Sequence, residues 1–213
     1  MAASLGPATA APAWQAGFES RLEILALIET LNANLLASRS ATETLTKWCA
    51  AHHMAEPVRL VAHLQRDVAK PISPEQRKLL DIGPDEPVAY RRVDLACGSH
   101  VLSRADNWYV PSRLTPAMNA ALLSSDTPFG RVVRPLHPRR QTLDVKMLWH
   151  ALPQGWEMQR RPAGSGDSEK LVIPPLLFEH RAVVYAANGQ PISEVDESYT
   201  AAILDFRPRS RAD

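Results

Sequence analysis

Cysteine is nearly absent: Cys49 and Cys97 are the two in 213 residues, and they match no metal-site or redox-pair spacing. The expectation is two reduced, buried thiols, with a bridge between them left open. No sign of charge dominates, since 24 Lys and Arg stand against 23 Asp and Glu for a net +1. No overall field therefore draws nucleic acid or an anionic membrane, and any charge-based function has to be local. An uninterrupted apolar run of about 18 residues is missing, which argues against a membrane span. Met1 to Ala13, rich in Ala and Pro, lacks both the basic residues and the apolar core of a secretory signal. A soluble, cytoplasmic protein is the simplest expectation. The chain also lacks a glycine-rich phosphate loop, a G-x-S-x-G elbow and a zinc signature. Nucleotide and metal chemistry are thereby disfavoured, and neither a cofactor nor a metal is expected.

What is present is enough apolar sequence, 45%, for one substantial core. The expected organisation is a disordered tail over 1–16, one domain over 17–206 that includes N-terminal helices within 17–56, and a C-terminal tail over 207–213. Leu22, Leu25, Ile28, Leu31 and Leu35 recur at helical spacing and predict a helix over about 19–37. Ser40 and Glu43 fit a capping box that opens a second helix ending near His53. A strand over 58–64 follows, then the breaker Lys70-Pro71-Ile72-Ser73-Pro74 and a short helix over 75–80. Beyond Pro87 the texture turns to strands: 88–96, 100–103, 108–110, 141–149, 178–185 and 192–199, with a brief helix over 116–123 and a polar loop over 162–168. Asn188-Gly189 is a strong hairpin signal between the last two strands. The fold class expected is α+β, an antiparallel sheet with flanking helices and an N-terminal helical segment.

Four constellations could carry chemistry. Arg91 and Arg92 are adjacent in one strand, so alternation sends them to opposite faces and one can point inward, where a guanidinium needs a partner such as a ligand carboxylate. A surface arginine, or a structural partner of Asp94 or Glu194, is the more conservative reading. Glu194, Asp196 and Glu197 share a late strand, with Glu197 on the opposite face from the other two. One of them in a dry pocket would be a proton donor; a solvated edge is the alternative. The Thr127-Pro128-Phe129-Gly130-Arg131 turn has a Gly that permits close backbone approach to a ligand. Leu136-His137-Pro138-Arg139-Arg140 is a local basic patch that suits an anion or, more simply, a solvated loop. His52-His53 complements the end of a helix, with no partner at metal-ligand spacing.

These features, taken in order, resemble chorismate lyase and its relatives, among them the UTRA effector domains of transcription regulators. The resemblance spans roughly Ala89 to Leu204. It rests on the arginine-bearing strand, on Val110-Pro111 closing the next strand, on the Thr127 to Arg131 turn and on Glu197-Ser198-Tyr199 late in the chain. It implies a chorismate lyase-like fold that holds a small anionic molecule inside an antiparallel sheet. It also implies the elimination of pyruvate from chorismate to give 4-hydroxybenzoate, the step that feeds ubiquinone biosynthesis. The resemblance places the carboxylate-binding arginine on Arg92, with Arg91 facing away, the pocket leucine on Phe129 beside Gly130, and the active-site glutamate on Glu197. This chain departs from the pattern at Phe129, at Asp106 where the lyase has Gly, and by one extra residue before Glu197. That last departure leaves open whether Asp196 or Glu197 faces the pocket. The alternative implied by the same resemblance is a non-catalytic, UTRA-like domain that binds an anionic ligand. The N-terminal 75 residues are too neutral for a convincing winged helix, so no nucleic-acid partner is expected. A helix-mediated interaction protein, resting on the Leu22 to Leu35 stripe, is a third possibility.

Overall fold

A computed structural model of the chain describes residues 14–159 and 169–206. Six strands form one antiparallel sheet: β1 (Leu60–Gln65), β2 (Ala89–Cys97), β3 (His100–Tyr109), β4 (Arg139–Met147), β5 (Leu176–Tyr185) and β6 (Pro191–Thr200). Their order is β1-β2-β3-β6-β5-β4, so two three-stranded meanders meet edge to edge at β3 and β6. Helices α1 (Phe18–Ala37), α2 (Ala41–Ala51), α3 (Pro74–Leu79), α4 (Pro116–Ser124) and α5 (Phe129–Val132) flank it. The fold is thus α+β, an antiparallel sheet with flanking helices, as the sequence leads one to expect.

The apolar periodicity of α1 turns Ile24, Ile28, Leu31 and Leu35 fully inward, where each such side chain contributes roughly 1.5–3 kcal/mol. Leu22 and Leu25, expected in the same stripe, are only half-buried, because Ile24 takes the inner line. These side chains join Leu45 and Trp48 of α2 and Val93, Leu95, Ala105 and Val195 of the sheet in one core. The stripe is therefore internal packing. A smaller core gathers Tyr109, Leu114, Met118, Leu122, Val133 and Ile192 beneath α4 and α5.

Ser40 caps α2, its hydroxyl accepting from the Glu43 amide at 3.3 Å, while the Glu43 carboxylate pairs with Lys47 at 2.7 Å. A reciprocal capping box forms instead at α3, between Ser73 and Gln76, with Pro74 in the first turn. The two short strands expected over 100–110 are one strand. The polar residues between them are satisfied inside the sheet, Asp106 by Lys70 and Tyr90 and Asn107 by Ser193. Gly189 adopts φ +81° in the tight turn between β5 and β6, where Asn188 accepts from the Gln190 amide.

Two expectations are corrected. Cys49 of α2 and Cys97 at the end of β2 are joined in a disulfide, not reduced, because packing α2 over the sheet brings their Cα atoms to 6.5 Å. Trp14 to Ala16, assigned to a tail, are docked on the body: Trp14 donates to the Leu204 carbonyl, and Gln15 bridges to Lys170. The remainder of that tail (1–13), the C-terminal tail (207–213) and the polar loop (162–168) lie outside the described residues. No described helix is long and apolar enough to cross a membrane.

Candidate functional site

Strand pairing sorts the sequence candidates onto two faces. Across the sheet, Arg91 sits opposite Asn107, which sits opposite Val195; one row along, Val93, Ala105, Glu197 and His180 are aligned. Directly paired residues share a face, so Arg91 and Glu197 are on the same side. The neighbouring row, Arg92, Asp106, Asp196 and Arg181, faces the other way.

A cavity of about 60 Å³ lies on the first face, closed by the start of α2 and by α5. Arg91, Asn107, Arg140 and Glu197 supply its polar wall on the sheet side, and Arg39, Ser40 and Thr42 line it at the start of α2; Val93, Phe129, Val133 and Val195 supply part of its apolar wall. Arg91 is 4% exposed. Its Nη2 donates to the carbonyls of Thr127 at 3.2 Å and Ser125 at 3.4 Å, whereas Nε and Nη1 are buried with no hydrogen-bond partner among the described residues. Burial lowers the pKa of this guanidinium, partly offset by Tyr109. Arg140 is the second buried cation. Its Nη2 donates to Glu197 Oε2 at 2.6 Å, and its own Nε has no partner among the described residues. Burial by itself would lower its pKa, but Glu197 and Tyr199 outweigh that and raise it.

Glu197 Oε2 also accepts from the Tyr199 hydroxyl at 3.1 Å, and burial pushes that phenol well above its ordinary pKa. Behind Arg140, His180 is 1% exposed, its Nε2 2.8 Å from Asn32 Oδ1 and its Nδ1 3.5 Å from Arg140 Nη2. Burial first, and the Arg140 charge second, lower its pKa to about 4, so the ring is neutral near pH 7. A neutral ring donating from Nε2 presents an acceptor to Arg140. The chain Asn32, His180, Arg140, Glu197 and Tyr199 thus fixes one wall of the cavity.

Arg92 lies away from the cavity. Its Nε is 3.7 Å from Asp106 Oδ1 on the opposite face, and its side chain is 32% exposed. Asp106 also accepts from Tyr90 at 2.5 Å and pairs with Lys70. The charge introduced at Asp106 therefore serves this second face. Asp196 sits there too, pushed up to about 6 by burial and by Glu194, with Arg181 opposing. Glu194 is fully buried between Arg181 Nε and Gln76 Nε2, both at 2.7 Å. Of the three acids, Glu197 alone lines the cavity.

Phe129 and Gly130 line the cavity, and the close approach at Gly130 is to protein. A Cβ there would meet Thr42 Oγ1 at 2.9 Å and Ser40 Oγ at 3.1 Å. Asn107 is not singled out by the sequence, and Arg140 enters there only as a member of the basic patch Leu136 to Arg140. The available signal for Arg140 was the tandem Arg139-Arg140 at a strand start, where alternation turns one of the two inward. Among the described residues, no group of three His, Cys, Asp or Glu could hold a metal.

No family model matches the chain. It is 50% identical over 189 residues to "Uncharacterized protein y4mC" of Sinorhizobium fredii, covering 88% of this chain and 79% of that protein. Among solved structures it is similar to PhnF of Mycobacterium smegmatis, at 13% identity and TM-score 0.49 over 84% of this chain and 71% of that one. It is also similar to the possible transcriptional regulator YydK of Bacillus subtilis, at 19% identity and TM-score 0.41 over 72% and 63% of the two chains. A further likeness is to the ligand-binding domain of a putative GntR-family regulator of Bordetella bronchiseptica, at 13% and 0.43 over 75% and 92%. At these identities and scores the structural likenesses carry no function across.

Proposed function

Because the chain belongs to the family of the Sinorhizobium fredii uncharacterized protein y4mC, whose name states no activity, we propose its function from the cavity itself: it binds a small carboxylate-bearing molecule. The observation that carries this reading is the buried Arg91 guanidinium, whose Nε and Nη1 have no partner among the described residues and which faces no carboxylate among them. Arg91, Arg140 and Arg39 at the edge, against Glu197, leave the cavity two positive charges in excess. A buried cation is costly unless paired, and a guanidinium fork matches a carboxylate with two parallel bonds. Phe129, Val93 and Val195 offer an apolar wall to the body of such a ligand. In this reading Arg91 takes the binding role that the resemblance assigned to Arg92, and Phe129, Gly130 and Glu197 keep places in the wall.

The lyase reading is the finer alternative, and Glu197 beside the same cavity is the observation in its favour. Its Oε2 is engaged as an acceptor from Arg140 and Tyr199, an arrangement that suits a wall anchoring Arg140 better than a proton donor. Simple binding is therefore the preferred reading.

One pair of measurements tests both. The full chain is titrated with 4-hydroxybenzoate and with chorismate while its melting temperature is followed, since a ligand that prefers the native state raises stability. Chorismate samples are also followed for 4-hydroxybenzoate by absorbance. Stabilisation that is lost in Arg91→Met and kept in Arg92→Ala is expected; stabilisation by neither compound overturns the binding reading for this ligand class. Product formation that disappears in Glu197→Gln would establish the lyase instead.

A further inference from the structure

The 60 Å³ cavity is much smaller than the few hundred Å³ of an ordinary ligand site, so a ligand anchored at Arg91 has to extend out of it. Next to it lies a groove of about 600 Å³ between the start of α2 and the segment that begins in α5, and the two share Arg39, Ser40, Thr42, Gly130 and Pro138 as walls. That groove is strongly basic. Arg39, Arg131 and Arg134 line it with exposed side chains that make no ion pair among the described residues. Lys47 and Glu43, also in its wall, neutralise each other at 2.7 Å. Three guanidiniums around one groove without a counter-charge repel each other, and a bound anion relieves that repulsion.

We propose that the ligand is two-ended: a carboxylate held inside at Arg91, an apolar middle passing Phe129, and a second anionic group, carboxylate or phosphoryl, held in the groove by Arg39, Arg131 and Arg134. The proposal rests on the binding reading above and adds the outer half of the site. A one-ended acid meets one buried cation; a two-ended acid of the right length meets that cation and the groove together. The gain is an effective-concentration effect, since the first end presents the second at its site.

The test is a calorimetric titration of the full chain at low salt with hexanoate, octanoate and decanoate, their α,ω-dicarboxylates, and ω-phosphonocarboxylates of the same lengths. At the length that spans groove and cavity, a two-ended compound is expected to bind at least tenfold more tightly than the monoacid of equal length. A gain in either series supports the proposal, and the series that shows it names the outer group. The Arg131→Gln/Arg134→Gln variant is expected to abolish the gain and to leave monoacid affinity within twofold. Monoacids that bind while no two-ended compound gains would overturn the two-ended ligand and leave the binding reading intact. A gain that survives the double variant overturns the role of the groove. No binding by any compound overturns both readings.

Discussion

Replacing Arg91 by methionine separates a residue kept for a ligand from one kept for the fold. The guanidinium makes two long bonds, at 3.2 and 3.4 Å, and its Nε and Nη1 have no partner among the described residues. Losing two such bonds costs about 1–2 kcal/mol. Removing two buried unsatisfied donors and a desolvated charge returns about 1–4 kcal/mol when a side chain of similar volume fills the space. The expected balance runs from about 1 kcal/mol less stable than the parent to about 3 kcal/mol more stable, the upper end being a melting-temperature rise of roughly 10 °C for a domain of this size. Carboxylate binding moves the other way. Truncating one partner of a buried charge pair costs about 2–5 kcal/mol, a loss on the order of 30- to 4,000-fold in Kd. Urea denaturation of the free proteins and calorimetry with 4-hydroxybenzoate read the two quantities separately. A variant destabilised by more than about 2 kcal/mol that still binds would show Arg91 to be a structural tie, and the reasoning from its unpartnered nitrogens would fail.

Two further outcomes are expected. His180 titrates near 4 in the fold against 6.5 when unfolded, so between those values the unfolded chain holds the extra proton. Its contribution is complete above pH 6.5 and is lost as pH falls towards 4, by about 3 kcal/mol in all. The stability difference between the wild type and His180→Gln, measured by urea denaturation, should therefore shrink by that amount from pH 7.5 to 4. Asp196 has the opposite sign but is common to both proteins and half-exposed, and a flat difference would contradict the assignment. The disulfide closes a loop with a sequence separation of 48, worth about 4 kcal/mol of chain entropy in the unfolded state. Reduction, or Cys97→Ser, should lower the urea midpoint accordingly; an unchanged midpoint would contradict the link.

Elements were legible in the sequence where local rules suffice. The Ser40 cap, the Asn188-Gly189 turn and the inward Ile28, Leu31 and Leu35 each depend on residues a few positions apart. Facing is another matter. Alternation shows that Arg91 and Arg92 oppose each other, but which one turns inward is set by register against β3, and register is a property of pairs distant in sequence. Because Glu197 pairs with Ala105 and Ala105 with Val93, Glu197 shares its face with Arg91 and not with Arg92. The tandem at Arg139-Arg140 concealed its inward member in the same way. The disulfide was hidden for a related reason, since the spacing of Cys49 and Cys97 says nothing about the packing of α2 on the sheet.

The joint between the two meanders has a consequence for when the site comes into being. Arg91 and Asn107 belong to the first meander, Arg140 and Glu197 to the second, and the cavity spans the β3–β6 seam between them. Each meander can form from neighbouring strands, whereas the seam requires closing a long loop, which is the slow kind of step in folding. No half-formed chain can therefore present the site. A molecule lodged at Arg91 and Arg140, as proposed above, would act as a clasp across the seam, its binding adding to the β3–β6 pairing.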